Sequence, residues 1–317
     1  MSCAHDRWTR RDAIVAGGML LAQSCARLLP PERRVAIVPA PAYDQTLYDT
    51  VYRALRETAP LVQGRRIVLK PNLVEFDSAS VINTHPMLVH AALEAFRKLG
   101  AGEVRIAEGP GHRRVTLDLA DAAGYFGLIR DFETLFTDLN LDDVSEVKLS
   151  QPVSKLRSLY LPHTALGADL LVSMPKMKTH HWVGATLSMK NLFGVVPGGV
   201  YGWPKNVLHW AGINECIADL YRHFPRHFAL VDAIDGMEGN GPIQGTTRHV
   251  GAIVAGQDLA AVDETCCRIM HIDPRRVGYL QHVATGAPIR QIGEPIGSVA
   301  APFELIPELH ELRLKSV

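Results

Sequence analysis

The chain lacks an excess of charge of either sign. Its 33 lysine and arginine residues are balanced by 33 aspartate and glutamate residues, so the formal net charge is zero. Proteins that bind nucleic acid or an anionic membrane surface use a surplus of basic residues, and no basic run provides one locally. We therefore expect no nucleic-acid partner.

Cysteine is scarce and shows no metal-binding spacing. The five cysteines include no CxxC pair, whereas a cluster held by thiolates needs about four of them at set spacings. An iron–sulfur cluster bound by this chain alone is therefore not expected. Cys266 and Cys267 are adjacent, which disfavours a bridge between them, and together with Cys216 they are expected to be small buried apolar residues.

Long apolar runs and several catalytic signatures are also missing. The HExxH, GxSxG and P-loop patterns do not occur, and no GxGxxG follows the first predicted strand, which argues against a standard dinucleotide site. With 317 residues, of which 47% are hydrophobic, the chain can still bury a sizeable core in one large domain or two lobes.

Residues 1–30 differ in character from the rest and predict an export signal. Arg10 and Arg11 precede a short apolar stretch over 13–22, which is shorter than the roughly 20 apolar residues that span a bilayer. This order is typical of a secretory signal, and the paired arginines resemble the twin-arginine type. We predict a periplasmic protein exported by the twin-arginine translocase. An ordinary amphipathic helix is one alternative, and lipid anchoring through Cys25 is another.

After residue 30, short apolar segments alternate with segments of helical period. Strands are predicted over 35–38, 66–69, 104–107, 144–149, 157–161, 168–173, 228–232 and 250–255, and helices over 45–58, 86–99, 119–126, 213–224 and 260–270. Continuous apolar strands are typical of parallel sheets, and the alternation implies helices on both faces. The predicted fold of residues 31–317 is therefore α/β and Rossmann-like, with a mostly parallel sheet.

Polar residues cluster where the predicted strands end. The segments concerned are 70–72, 108–113, 173–181 and 232–242. Any one of them would also suit a turn or a helix cap. Because ligands of open α/β sheets bind beyond the carboxyl ends of the strands, the four segments together predict a site at this edge.

The segment 173–181 contributes alternating polar side chains. If it is extended, Lys176, Lys178 and His180 point to one side and form a cationic cup for a carboxylate or a phosphate. Lys190 follows in an apolar, glycine-rich stretch, where desolvation would lower its pKa and suit it to act as a base or nucleophile. Further predicted substrate-binding residues are Lys70, Asn72 and Asn191.

Carboxylates downstream of these segments suggest a divalent metal ion as a cofactor. Asp232, Asp235, Glu238 and Asp263 supply oxygen ligands that suit a hard cation such as Mg²⁺. Histidine combined with carboxylate or cysteine would suit a transition metal instead. The residues alone leave both alternatives open.

Four segments together resemble the bacterial and archaeal family called domain of unknown function 362. They are KPNL at 70–73, SMPKMKTH at 173–180, MKNLFG at 189–194 and DGMEGNGP at 235–242. The resemblance covers roughly residues 35–275. Many members of that family carry a ferredoxin-like cysteine module, which this chain lacks.

A second resemblance is to the nickel-dependent lactate racemases. In those enzymes a Gly-x-His-Arg-like loop follows a strand, as Gly-His-Arg does at 111–113 here, and a histidine and a lysine come later in a stretch that ends in Pro-Gly. His180, Lys190 and residues 197–198 have that order. Residues 187–189 replace the glycines before the racemase lysine, so the resemblance implies a related fold more than the same reaction.

The racemase resemblance implies roles for four residues. His112 and His180 would be acid/base groups, Lys190 would hold a nickel-pincer nucleotide cofactor, and His209 would be a metal ligand. The cationic cup and the carboxylate cluster leave two functions open, beside the third possibility that the lysines form structural ion pairs in a site without activity. One is a cofactor- or metal-dependent isomerase or oxidoreductase acting on a small anionic substrate. The alternative is an exported protein that captures an anionic ligand without chemistry.

Overall fold

The structure is a computed structural model that describes residues 33–58, 62–112, 115–283 and 286–315. The predicted export signal over 1–30, including Cys25, lies outside the described residues. Residues from Arg33 onward belong to one compact unit. Among the described helices, none combines the length and the apolar character that crossing a membrane requires.

The described strands and helices alternate along the chain. The strands are β1 (Arg33–Pro39), β2 (Arg66–Pro71), β3 (Glu103–Glu108), β4 (Phe136–Asp138), β5 (Val144–Lys148), β6 (Ser158–Pro162), β7 (Leu170–Met174), β8 (Lys176–His180), β9 (Gly184–Thr186), β10 (His227–Asn240), β11 (Gln244–Gly256) and β12 (Ile289–Gly293). The α-helices are α1 (Thr46–Thr58), α2 (Pro86–Lys98), α3 (Thr116–Ala122), α4 (Tyr125–Leu128), α5 (Phe132–Leu135), α6 (His163–Leu166), α7 (Ser188–Asn191), α8 (Gly198–Tyr201), α9 (Asn206–His223), α10 (Leu259–Ile269), α11 (Gly278–Gln281) and α12 (Ile296–Val299). Short 3₁₀ helices cover Leu192–Val195, Pro274–Arg276 and Pro307–Leu312.

The central sheet is mostly parallel. Its strands follow the order β12-β1-β11-β10-β7-β2-β3-β4, and β11 alone on this path runs antiparallel to its neighbours among the described strands. Strand β8 extends the sheet beside β10, and β9 turns back along β8. The strands β5 and β6 form a separate antiparallel pair. This architecture confirms the predicted α/β class.

Apolar cores lie on both faces of the sheet because successive strand residues point to opposite sides. In β1, Val35 and Ile37 belong to one core, whereas Ala36 and Val38 belong to the other. The first core packs against α9 and α10, and the second packs against α1 and α2. Helices therefore cover both faces, as the alternation of elements predicted.

Several predicted elements differ in extent from the observed ones, among them one helix and one strand. The helix expected over 119–126 is divided into α3 and α4, because Gly124 adopts a left-handed conformation between them (φ 85°). The strand expected over 228–232 continues to Asn240 and forms a long hairpin with β11. The hairpin extends beyond the carboxyl edge of the sheet and reaches the predicted site.

Candidate functional site

A cavity of about 870 Å³ opens at the carboxyl ends of β2, β3 and β8. Ligand pockets of about 300–1,000 Å³ are typical of proteins that bind small molecules. Most of the predicted site residues line it: Lys70, Asn72, His112, Lys178, His180, Lys190, Asn191 and His209. The location predicted from the strand ends is therefore the location of the cavity.

Lys176 does not line the cavity, although it precedes Lys178 in the same strand. Its Nζ lies 2.7 Å from Oδ2 of Asp232 and donates to the hydroxyl of Tyr43 at 2.8 Å. Lys176 and Asp232 lie opposite each other in the pairing of β8 with β10. Lys176 is therefore not part of the expected cationic cup, because its charge is already balanced by Asp232.

The predicted metal ligands have separate partners. Oδ1 of Asp235 lies 2.7 Å from Nδ1 of His249, and Oε2 of Glu238 accepts a hydrogen bond from the backbone of Glu304. With Asp232 bound to Lys176, these carboxylates do not converge. Within the described residues, no group of three or more histidine, cysteine, aspartate or glutamate side chains is placed to hold a metal ion.

Lys70 and Glu108 form an ion pair on the floor of the cavity. Nζ of Lys70 lies 2.6 Å from Oε2 of Glu108, and it also donates to the side chain of Asn191 at 3.1 Å. Both members of the pair are almost fully buried. Gly194 packs so closely that a Cβ there would collide with both of them. A glycine at this position therefore lets the backbone seal the pair.

Three further lysines of the cavity contact groups other than carboxylates. Lys178 donates to the carbonyl of Ile82 at 2.9 Å, and Nζ of Lys190 lies 4.3 Å from the ring centroid of Phe193. Lys205 donates to the carbonyls of Gly109 and Phe193, at 2.8 and 2.7 Å. The cavity therefore holds more cationic groups than its buried carboxylate, Glu108, balances.

Burial lowers the pKa values of these lysines. For Lys178 the pKa falls well below its ordinary value, first through desolvation and then through the charges of Lys176 and Lys190. Desolvation is also the largest cause that lowers the pKa of Lys190 to about 8 and that of Lys205 to about 7. An anion in the cavity would favour their charged forms.

His180 is held in its neutral form. Burial, followed by the charge of Lys190, lowers its pKa well below the usual value. Its Nδ1 accepts a hydrogen bond from the backbone N–H of Trp182 at 3.2 Å, so the neutral ring carries its proton on Nε2. In this state His180 is suited to donate a hydrogen bond to an anion.

Asp263 positions the short helix that carries Lys190 and Asn191. Its carboxylate accepts hydrogen bonds from the backbone of Ser188 at 2.8 Å and of Met189 at 3.0 Å, and also from the Ser188 hydroxyl. Burial raises the pKa of Asp263 to about 7, against the effect of these hydrogen bonds. The residue proposed as an oxygen ligand for a metal is thus a cap of α7.

The residues of the cavity wall to which sequence reasoning assigned no role include Lys205, Phe193 and, at the mouth, Trp182. Lys205 precedes α9 with a left-handed backbone (φ 69°), in a turn rather than at a strand end. Trp182 is 59% exposed, and its ring contacts His209 at a centroid distance of 5.0 Å.

Comparisons with known proteins give one curated relative and several similar solved structures. The chain is 27% identical over 223 residues to a thylakoid-associated protein of Synechocystis sp., and the match covers 68% of this chain and 65% of that protein's length. One similar solved structure is the lactate racemase apoprotein of Thermoanaerobacterium thermosaccharolyticum, with 17% identity and a TM-score of 0.45. The match covers 76% of this chain and 57% of the racemase. A Thermotoga maritima protein from a structural genomics consortium shows 10% identity and a TM-score of 0.41, covering 73% and 60% of the two chains.

The family assignment rests on the sequence model of one family, which matches residues 67–268. This range is more than half of the chain, and it includes all the residues that line the cavity except Ile306, Pro307 and Glu308. It also includes all four motif segments in full and begins three residues before the first. The chain belongs to the family described as domain of unknown function DUF362.

Proposed function

We propose that the protein is an enzyme that binds a small anionic substrate, a carboxylate or a phosphate, and moves a proton in this cavity. The supporting observation is the presence of Lys178, Lys190 and Lys205 around one cavity without a carboxylate partner for each. Burying a cation without an opposite charge costs free energy. An anionic ligand would offset this cost.

Proton transfer is supported by groups that change charge near neutral pH. Lys190, with a pKa of about 8, lines the cavity and is suited to act as general acid or base. Neutral His180 would orient the anion through its Nε2–H, and Lys205 would add a charge-assisted hydrogen bond. His112, which also lines the cavity, is a second proton-transfer candidate.

More specifically, we propose that this enzyme is a cofactor-dependent isomerase or oxidoreductase. A nickel-pincer nucleotide would be held through Lys190, with His209 as metal ligand, and both residues line the same cavity. When bound, such a group would supply redox chemistry. The cavity lysines suit the anionic part of such a nucleotide. Among the described residues, no group of side chains is placed to hold a metal ion by protein ligands alone.

Binding and catalysis are tested separately. Purified protein is screened by thermal shift with phosphate, methyl phosphate, lactate and pyruvate, because a ligand of the folded state raises the melting temperature by mass action. Binders that carry hydrogen on the carbon next to the carboxylate are then incubated in D₂O and followed by proton NMR. Exchange that is lost in Lys190→Met supports the enzyme. If some anions bind and none of them reacts, the protein is the non-catalytic binding protein. If none of the screened anions binds, the anion site is refuted.

Export remains part of the proposal. Arg10 and Arg11 before a short apolar stretch support the twin-arginine route. A double Arg10→Lys, Arg11→Lys variant is expected to stay in the cytoplasm when bacterial cells are fractionated. Equal periplasmic amounts of variant and wild type would contradict this route.

A further inference from the structure

The cavity has two ends of different chemistry. At the closed end, Lys178 and Lys205 are almost completely buried, and Lys70 lies there with its ion-pair partner. At the mouth, Trp182 is largely exposed, and Pro307 and Glu308 form part of the exposed rim. A ligand that fills the cavity therefore meets cations at one end and a large apolar ring at the other.

Aromatic rings connect the two ends. The ammonium of Lys190 lies 4.3 Å from the centroid of Phe193, and the Phe193 ring lies 5.6 Å from His209. His209 in turn contacts Trp182, which also has His181 at 4.9 Å and His180 at 6.2 Å as ring neighbours. Three histidine rings thus hold the indole at a defined angle while more than half of the surface of Trp182 is uncovered. An ordered, uncovered aromatic surface of this kind is preorganised for binding.

The size of the cavity points in the same direction. A volume of about 870 Å³ offers room for roughly thirty waters at about 30 Å³ each. A three-carbon acid or an inorganic phosphate would occupy the cationic end and leave the aromatic end empty. Apolar walls without a ligand lose contact energy that a larger ligand would recover.

We infer that the substrate is an anion that carries a flat aromatic or heteroaromatic ring, with its carboxylate or phosphate at the lysines and its ring against Trp182. This assignment rests on the proposed anion site and specifies the substrate class. Ring stacking adds to apolar burial when two aromatic groups meet. The ring end determines selectivity, and the lysine end determines the charge that is accepted.

Matched pairs of probes test the inference. Phenyl phosphate is compared with methyl phosphate, and phenyllactate with lactate, by isothermal titration. The members of each pair have the same anionic group, so only the ring differs. The aryl member is expected to bind at least about tenfold more tightly. The pair with the higher affinity identifies phosphate or carboxylate as the preferred anionic group.

Two tryptophan variants localise the effect. Trp182→Ala is expected to abolish the preference for the aryl probe and to leave the affinity for methyl phosphate unchanged, and Trp182→Phe should retain most of the preference. Trp210→Ala is the control, because Trp210 is 75% exposed and does not line the cavity. Equal binding of aryl and methyl probes, or a preference that survives Trp182→Ala, would overturn the inference while the anion site stands. Failure of all four probes would refute the anion site and this inference with it.

Discussion

The ammonium of Lys70 lies 2.6 Å from Oε2 of Glu108, and both side chains are enclosed at the carboxyl ends of β2 and β3. Glu108 also accepts hydrogen bonds from the backbone of Leu73 and Gly109. The carboxylate is therefore fully engaged by one lysine and two amides. Glu108 therefore does not pair with the neighbouring lysines of the cavity, and these remain available to bind a ligand.

Replacing Glu108 with glutamine is expected to destabilise the protein by about 3–5 kcal/mol, because the ammonium of Lys70 would remain buried without an opposite charge. Urea unfolding measures the change. Glu94→Gln is the matched control, since Glu94 forms an exposed pair with Arg97 at 2.9 Å and its loss should cost less than about 1 kcal/mol. Equal effects of the two substitutions would contradict a structural role for the buried pair.

Gly194→Ala tests how closely the backbone covers that pair. A Cβ at Gly194 would collide with the side chains of Lys70 and Glu108, and such overpacking typically costs about 1–3 kcal/mol. Gly111→Ala is the control, because Gly111 lines the same cavity and a Cβ there meets no atom within 4 Å. Thermal unfolding should separate the two variants. If the Gly194→Ala variant is as stable as the Gly111→Ala variant, the backbone at Gly194 does not pack closely against the ion pair.

Anion affinity is expected to fall as the pH rises from 6 to 9. Lys205 and Lys190 lose their protons around pKa values of about 7 and 8, and only the charged forms attract an anion. A carboxylate probe such as phenyllactate keeps its own charge above about pH 6, so the change belongs to the protein. Isothermal titration should show that the affinity falls by at least about tenfold. A lysine that must be protonated for binding lowers the affinity by up to about tenfold for each pH unit above its pKa.

Lys205→Met provides the control for this pH dependence. The variant should bind the anion more weakly at pH 6. Its affinity should no longer fall near pH 7, whereas the fall in affinity near pH 8 should remain.

The folding stability of the free wild-type protein depends on pH in the opposite direction to anion affinity, because unfolding restores an ordinary lysine pKa of 10.5. The unfolded chain then binds more protons, so Lys205 makes the free protein more stable as the pH rises above about 7. Affinity that is constant between pH 6 and 9 would exclude these lysines as ligand contacts.

Asp263→Asn is expected to weaken both folding and ligand binding. An amide cannot accept the hydrogen bonds of Ser188 and Met189 as a carboxylate does, and each unsatisfied buried donor costs about 1–3 kcal/mol. Because α7 carries Lys190 and Asn191, affinity for an anionic probe should fall as well.

Asp219→Asn separates these two effects. Asp219 is buried and accepts hydrogen bonds from the backbone of Val153 and Ser154 at 2.9 and 3.0 Å, and it does not line the cavity. Its substitution should lower the free energy of unfolding by a similar amount and leave affinity unchanged. Equal loss of affinity in both variants would mean that Asp263 has no specific positioning role.

The sequence by itself determined the fold class and the strand ends at which the cavity lies. Apolar runs such as 168–173 report burial on both faces, and helical periods such as that in 86–99 report one buried face. These signals are local, because they depend on side chains within a few residues of each other. The rule that ligands bind beyond the strand ends then predicted the segments that line the cavity.

Only the tertiary structure decided which polar residues face the cavity. Lys176 and Lys178 share one alternating pattern, yet the register of β8 against β10 places Asp232 opposite Lys176 and removes it from the site. Lys205 and Trp182 enter from turns, where no periodicity indicates direction. Charge balance in a cavity depends on contacts between residues far apart in the chain, so it is fixed by packing and register rather than by local sequence.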